Sequence, residues 1–202
     1  MAARDKCALA TDIPRDGLAR RMLDEAIRMF ASRGFAGTSV REVVEAAGCT
    51  KPALYYHFTN KVGLYRAAVG CAIARLQEVY EPMLEDKTFA RRLQAGLRRF
   101  REHAERFPDD VRLLFRAESE ATLDPELVDV RSLRAQDLAM VEELLAQGVA
   151  RGELRSDLPI KGAAIALVGS MHMRLQLWLD GQPLGDEFEQ TTLSLYLHGV
   201  IA

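Results

Sequence analysis

Residues 38–58 constrain the fold more than any other stretch of this chain, because helix, turn and helix signals follow each other there. Apolar residues recur at the spacing of one helix face over residues 40–47, and Thr38 or Ser39 precedes them as a capping residue. Gly48 then supplies the backbone freedom that a sharp turn between two helices needs. The pattern predicts a short helix that ends in a tight turn.

A second short helix is predicted to follow this turn. Thr50 is placed to cap it, and Pro52 falls in its first turn, where a missing N–H has no cost. Leu54 and Phe58 lie four residues apart, so they share one face and can anchor the helix to a core. The residues left facing outward are Lys51, Ala53, Tyr56 and His57. A helix-turn-helix places such an outward helix in the major groove of DNA, so we expect a DNA-binding head here.

The remaining sequence also shows helical spacing, with no alternating strand pattern and no repeat. The expected helices lie at about 15–32, 39–47, 50–58, 61–80, 88–107, 109–121, 124–152, 159–179 and 186–199. This predicts an all-α fold of about nine helices. We expect a three-helix head at residues 15–70, with the helix-turn-helix at about 39–58, and a body at residues 71–202. Within the long helix from 124, Asp124 and Pro125 are expected to form the cap and first turn.

Charge is distributed unevenly along the chain, although the net charge is only -2. Residues 1–66 carry 11 lysines and arginines against 7 acidic residues, whereas the remainder carries 16 against 22. A basic head on an acidic body suits attraction to phosphate. In addition, Arg4, Lys6 and Arg15 in an arm without periodicity are candidate phosphate contacts, with simple disorder as the alternative.

The composition places the protein in the cytoplasm and gives no sign of a membrane span. No apolar run reaches the roughly 18 residues that a transmembrane helix needs. The three cysteines, Cys7, Cys49 and Cys71, lack metal-ligand spacing, which fits a reducing compartment. Cys49 at the turn is interpreted as a structural residue and not as a redox trigger, since no cysteine lies near it in the sequence.

Two helices near the end of the chain are unusually apolar, at about 159–179 and 186–199. A helix that is apolar around most of its circumference must be covered on several sides, and a chain of this size has few layers to do so. Pairing with a second copy through a four-helix interface is therefore expected, with a monomer core as the alternative. The predicted interface residues are Ile160, Ala164, Leu167, Met171, Leu175, Phe188, Leu193, Leu195 and Tyr196.

The region from about Arg15 to Val69 resembles the tetracycline-repressor (TetR) family of bacterial regulators. The resemblance is carried by a run of short motifs at fixed spacing: Phe30, Arg33-Gly34-Phe35, Thr38-Ser39-Val40, Glu45-Ala46-Ala47-Gly48, Leu54-Tyr55-Tyr56-His57-Phe58 and Lys61. The rest of the chain resembles the family in length and helical content. The resemblance implies a homodimeric repressor whose two heads contact successive major grooves, and a small molecule in each body that changes their separation.

By position, the resemblance assigns DNA roles to residues of the head. Lys51, Ala53 and Tyr56 would lie at base edges or nearby phosphates. The residues that would mainly contact the DNA backbone are Thr38, Ser39, Thr50, Tyr55, His57 and Lys61. Pro52 stands where many members carry glycine or alanine, so it should shape the start of the helix. Tyr55 has the alternative of a core ring, and His57 that of a helix C-terminal cap.

The effector site is the least defined part of the sequence. A pocket is expected between the body helices, and a hydrophobic or amphipathic effector is the interpretation that the residues favour. The weak candidates are polar or large residues on apolar stretches: His103, Phe115, Arg116, Glu118, Gln136, Met171, His172, Arg174, Gln176 and Trp178. Core packing or ordinary surface exposure explains each of them as well.

An enzyme is not expected, because the sequence contains no nucleophile elbow, phosphate-binding glycine loop or His-Glu metal helix. We therefore predict no catalytic residues, no metal and no cofactor. The expected partners are an operator in double-stranded DNA, a small-molecule effector and a second copy of the chain. The alternative is an architectural DNA-binding protein without an effector. Such a protein would bind DNA only through salt-dependent attraction to the phosphates, without base preference.

Overall fold

The structure, a computed structural model, describes residues 17–80, 88–124 and 126–200. The regular elements in these ranges are nine helices, which confirms the predicted all-α fold. They are α1 (Gly17–Arg33), α2 (Val40–Ala46), α3 (Lys51–Phe58), α4 (Lys61–Tyr80), α5 (Phe89–Arg106), α6 (Pro108–Leu123), α7 (Val130–Ala150), α8 (Ile160–Leu179) and α9 (Asp186–Val200). None of these helices combines the length and apolar character needed to cross a bilayer. The predicted arm with Arg4, Lys6 and Arg15 lies outside the described residues, as does Pro125.

The chain divides into two compact units. Unit 1 contains the described residues up to 77 together with residues 107–130, and unit 2 contains residues 78–106 and those from 131 onward. Unit 1 therefore holds α1, α2, α3 and most of α4, and it also includes α6 from later in the chain.

The core of unit 1 forms around the apolar face of α1. Leu23 and Phe30 are fully buried, as are Leu54 of α3 and Tyr65 of α4. The Tyr65 ring meets the Phe30 ring edge-on at 4.9 Å between centroids, a geometry that aromatic pairs favour. α1 ends at Gly34, which has a φ of +74° that a residue without a Cβ adopts at no steric cost. Burial of this face fixes α1 as the support on which the two shorter helices rest.

An ion-pair network joins three helices of unit 1. The guanidinium of Arg75 on α4 donates to Asp110 on α6 at 3.1 Å and to Asp24 on α1 at 2.9 Å. Burial raises the pKa of Asp110 to about 6 even though Arg75 faces it. The network holds α6 against the helices of the head.

The segment before α7 differs from the sequence prediction. Asp124 was expected to cap a long helix, but it ends α6 instead, and α7 begins only at Val130. The reason is a long-range contact: Arg66 of α4 donates to the backbone carbonyls of Glu126 and Leu127. Because those carbonyls accept from a side chain, the segment packs as a turn in unit 1. Pro108 follows the end of α5 at Arg106 and is the first residue of α6, where its missing N–H has no cost.

The core of unit 2 is built from α5, α7 and α8. Its buried members include Phe89, Leu93, Leu97, Val141, Leu145, Leu154, Ala164 and Leu167. The side chain of Arg92 is also enclosed; it donates to Gln147 at 2.9 Å and lies 3.5 Å from the Glu153 carboxylate. Glu153 in turn accepts from the Phe89 N–H at 2.7 Å, so this charged pair ties the start of α5 to the segment after α7.

Candidate nucleic-acid interface

The first helix of the helix-turn-helix, α2, begins with a capping box. Ser39 is the N-cap: its hydroxyl accepts from the Glu42 N–H, while the Glu42 carboxylate accepts from the Ser39 N–H and hydroxyl. Arg33 pairs with Glu42 at 2.6 Å. The cap that the sequence left open between Thr38 and Ser39 is thus Ser39, and its hydroxyl already has partners within the protein.

The capping box predicts a pH dependence of stability. The Ser39 hydroxyl and Arg33 lower the pKa of Glu42 from 4.5 to about 2. Because the folded state favours the ionised carboxylate, this contribution is complete above pH 4.5 and is lost as the pH falls towards 2. Ser39→Ala is therefore expected to lower the free energy of unfolding more at neutral pH than near pH 2, where only the cap on the Glu42 N–H is lost, as measured by urea unfolding. Glu45→Gln on the same helix is the control, and an equal loss at both pH values would contradict the assignment.

Thr38 is not available at the surface. It is only 2% exposed, and its hydroxyl donates to the Gly34 carbonyl at 2.9 Å. This corrects its placement among the DNA contacts, because a buried and bonded hydroxyl serves the turn between α1 and α2. Spacing alone did not separate it from its neighbour Ser39.

The turn and the second helix follow the sequence prediction closely. Gly48 has a φ of +62°, the left-handed conformation that favours glycine. Thr50 caps α3 by accepting from the Ala53 N–H at 3.4 Å. Leu54 and Phe58 are buried at 0% and 7% exposure, so they hold α3 to the core of unit 1. The opposite face of α3 consequently points outward.

That outward face presents the residues predicted to contact DNA. Tyr56 is 86% exposed, and its ring lies edge-on to the His57 ring at 5.2 Å. Tyr55 is 45% exposed, which argues against the alternative of a core ring. Lys51 and Pro52 are exposed in the first turn, next to half-buried Ala53. Aromatic rings, hydroxyls and an ammonium group are therefore exposed to solvent along α3.

The junction between α3 and α4 is tight. Asn60 caps α4, since its side-chain oxygen accepts from the Gly63 N–H at 2.8 Å. Thr59 has a φ of +63° and ψ of −52°, and the Asn60 N–H donates to the Phe58 carbonyl at 2.6 Å. This is a γ-turn of the strained kind. A Cβ atom on Gly63 would overlap the Phe58 carbonyl oxygen, so the end of α3 is fixed closely against the start of α4.

Lys61 lies beside this junction, where its ammonium group is 4.3 Å from the centroid of the Phe35 ring. Desolvation lowers the pKa of Lys61. Through this cation–π contact, the Lys61 ammonium group contributes to the packing of the head. An exposed cation that the sequence interpretation omitted is Arg41, in the first turn of α2. Its place two residues after the Ser39 cap, in the first turn of a helix of the helix-turn-helix, was the available signal.

The described residues offer no group of three or more histidine, cysteine or acidic side chains suited to a metal ion. Cys49 is half-buried at the turn, and burial raises the pKa of its thiol. A raised pKa disfavours the reactive thiolate.

The candidate effector residues are divided between the two units. Phe115 and Glu118 lie on α6 in unit 1, whereas the others belong to unit 2: His103, Gln136, Met171, His172, Arg174, Gln176 and Trp178. His103 is buried, and Gln136 and His172 are exposed. Arg174 donates to the Pro183 carbonyl at 2.6 Å. Arg116, on α6 in unit 1, holds the head instead, because its guanidinium donates to the backbone carbonyls at the end of α1.

The candidate interface residues of α8 lie largely on its inner side. Ala164, Leu167 and Leu175 are 0%, 2% and 8% exposed within a single chain. They cover the core of unit 2, and so another face would have to meet a second copy. The exposed apolar side chains are Ile165 at 51% and Met173 at 59% on α8, and Leu195 at 69% on α9. Of the other predicted residues, Ile160, Met171, Leu193 and Tyr196 are half-buried, and the side chain of Phe188 lies outside the described set.

Comparison with known proteins gives a consistent result. A family model described as bacterial regulatory proteins, tetR family, matches residues 22–68. The transcriptional repressor ComR of Escherichia coli is 32% identical over 141 residues, which cover 68% of this chain and 66% of that protein. The transcriptional repressor KstR2 of Mycolicibacterium smegmatis is 25% identical over 196 residues, covering 95% of this chain and 96% of that protein.

Solved structures agree at the level of the fold. A TetR regulator from Chloroflexus aurantiacus has a TM-score of 0.77 at 24% identity, over 91% of this chain and 96% of that one. A TetR-like regulator from Rhodococcus sp. RHA1 has a TM-score of 0.75 at 23% identity, over 93% and 98%. With the exposed second helix of the head, its capped start and the family match in place, the chain belongs to the TetR family of bacterial regulatory proteins and is a DNA-binding transcriptional regulator.

Proposed function

We propose that the protein is a repressor that binds a palindromic operator as a homodimer and is released by a small molecule. The observation that carries the proposal is the outward side of α3, where Tyr56 is 86% exposed and Lys51 is exposed in the first turn, while Leu54 anchors the opposite side. A helix supported on one side and free on the other fits the major groove, which is wide enough to admit it. We assign no catalytic role. Because an operator lies on the bacterial chromosome, the proposed function requires the protein to be in the cytoplasm.

Base reading is assigned to the first turn of α3 and to Tyr56. Lys51 can donate to acceptors on guanine, and the Tyr56 ring and hydroxyl can meet a thymine methyl or a base edge. Ala53 leaves room for close approach, and Pro52 fixes the backbone of the first turn. These residues would set sequence preference.

Phosphate contacts are assigned to groups at the N-termini of α2, α3 and α4 and to two side chains in the C-terminal half of α3. Thr50 keeps its hydroxyl proton for a phosphate oxygen, since its oxygen accepts from the protein. The remaining members of this set are Ser39, Arg41, Tyr55, His57 and Lys61. Such contacts position the head without choosing a sequence.

Dimerisation is assigned to α8 and α9. On α8, Ile165, Gly169 and Met173 recur every four residues on the exposed side, next to exposed Ala166. Leu195 adds an exposed apolar side chain on α9, which is joined to α8 by the Tyr196 hydroxyl donating to the Ala163 carbonyl at 2.9 Å. An apolar strip of this kind is a plausible self-complementary surface for two-fold pairing.

The effector is proposed to be small and hydrophobic or amphipathic, which rests on the apolar character of the body helices. Release from DNA requires that it bind one conformation of the dimer more tightly than the other. The relatives support transcriptional regulation in general, and their names do not identify an effector for this chain.

Selection of bound fragments from random duplex DNA tests the proposal, followed by affinity measurements with the selected duplex. Tyr56→Ala and Lys51→Ala are each expected to cost about 1–3 kcal/mol and to change the preference among single-base variants of that duplex. Arg91→Ala on α5 is the control, since it removes an exposed cation from unit 2, away from both α3 and the proposed dimer surface.

The outcomes separate the possible functions. Arg41→Ala should weaken binding to all duplexes alike and lower the salt slope by about 1, as loss of one phosphate contact requires. If the selection enriches no sequence and the affinity depends on salt alone, the protein is an architectural DNA-binding protein and not a regulator. If Tyr56→Ala and Lys51→Ala both keep the wild-type base preference, α3 is not the helix that reads the DNA sequence.

A further inference from the structure

Two side chains of α6, one helical turn apart, hold the turn that leads into the helix-turn-helix. The Arg116 guanidinium donates to the carbonyls of Ala31 at 2.6 Å and Ser32 at 2.9 Å, which end α1. The Glu120 carboxylate accepts from the Phe35 N–H at 2.7 Å. The last carbonyls of a helix have no partner within that helix, and the Phe35 N–H lies beyond the end of α1. α6 therefore supplies both the cation and the anion that these groups need.

The Glu120 carboxylate also reaches the start of α4. Its second oxygen accepts from the Tyr65 hydroxyl at 2.5 Å, while Tyr65 is fully buried. The Phe35 ring packs edge-on against Tyr65 at 5.2 Å between centroids, and Lys61 covers its face. A Cβ atom on Gly34 would lie 2.5 Å from Glu120 Oε1, so the turn passes directly beside this carboxylate.

We propose that Glu120 is a positioning residue for DNA recognition, which holds the turn at Phe35, and through it α2 and α3, at the angle that the groove requires. The inference rests on the proposed use of α3 as the reading helix. The chain runs only from Phe35 through Thr38 to the cap of α2, and the Thr38 hydroxyl is itself bonded to the Gly34 carbonyl. A shift of the turn is consequently passed on to the helix-turn-helix.

Loss of this positioning affects specific binding more than general attraction. Base-edge hydrogen bonds depend on the exact placement of Lys51 and Tyr56, whereas the attraction of cations to phosphate tolerates small displacements. The ratio of affinities for a selected duplex and a random duplex of equal length is thus the relevant measure. A residue that contributed stability alone would lower the melting temperature and leave this ratio unchanged.

The test compares two substitutions of similar size. Glu120→Met removes both acceptor oxygens, and we expect it to lower the affinity for the selected duplex about tenfold with a smaller change for the random duplex. Glu120→Gln retains an oxygen for the Phe35 N–H and can donate to the Tyr65 oxygen, so it should restore the wild-type ratio. The Phe35 amide proton resonance should move in the methionine variant and stay in place in the glutamine variant. Asp109→Asn, in an exposed ion pair with Arg112 on the same helix, is the control.

Each outcome bears on the proposal. A wild-type affinity ratio in Glu120→Met overturns it, as does equal loss in the methionine and glutamine variants. If Glu120→Met does not fold, Tyr65→Phe removes one of the two contacts while keeping the ring, and should give a smaller loss of the same kind. If the wild-type protein prefers no duplex, the proposed function fails, while the Phe35 resonance still reports whether Glu120 holds the turn.

Discussion

Ile165→Glu is expected to convert the dimer into a monomer and to lower the affinity for a palindromic duplex at least about 100-fold. Ile165 is 51% exposed on the outer side of α8, so a glutamate there need not disturb the core of unit 2. In a dimer, however, the two-fold axis brings the substituted position of each copy into the same interface, where two desolvated carboxylates repel. The affinity for DNA falls as well, because in a dimer the binding of one head raises the effective concentration of the other at its half-site, and a monomer lacks this gain.

Sedimentation equilibrium and titration with the selected duplex measure both parts of this result. Ala139→Glu, an equal change of charge at an exposed position of α7, should leave mass and affinity unchanged. Leu167→Glu is a contrasting variant: Leu167 is 2% exposed, so a charge there should unfold unit 2 and not merely divide the dimer. An unchanged mass for both Ile165→Glu and Leu195→Glu would exclude α8 and α9 as the interface.

Gly63→Ala is expected to destabilise the head by about 2–3 kcal/mol and to weaken binding to the selected duplex. Alanine is the better helix former by about 1 kcal/mol, so propensity alone predicts the opposite sign. The steric term is larger because the added methyl group would overlap the Phe58 carbonyl oxygen, a backbone atom that cannot rotate away. Relief requires the end of α3 to move from the start of α4, which displaces the reading face.

Urea unfolding and duplex titration check this prediction. Gly185→Ala is the control, since a Cβ atom there has no heavy atom within 4 Å and the residue has no positive φ. Gly63→Ala with wild-type stability and affinity would show that the junction at Thr59 relaxes freely. A loss of affinity without a loss of stability would instead show that the angle between α3 and α4 can change at little cost in free energy.

The head could be predicted from sequence because its determinants are local. Gly48 at the turn, Thr50 as a cap, and the pair Leu54 and Phe58 all act within a few residues, and the structure places each as expected. Local patterns did not separate Ser39 from Thr38. Both suit a cap, and only burial of Thr38 against the Gly34 carbonyl decides between them.

Contacts between distant segments account for what was missed. Arg116 was interpreted as a candidate for the effector, yet it binds carbonyls more than 80 residues earlier in the chain. The helix expected from Asp124 starts six residues later because Arg66 engages the intervening carbonyls. On α8, an apolar sequence on all sides could not show which side faces inward.

By itself, therefore, the sequence determined the all-α class, the helix-turn-helix and the outward face of α3, since periodicity, caps and turn residues act over one or two helical turns. Only the tertiary structure decided that α6 holds the turn before α2 and that the inner side of α8 is occupied by its own core. Those arrangements depend on hydrogen bonds and packing between residues far apart in the chain, and no local pattern encodes which partner a side chain will meet.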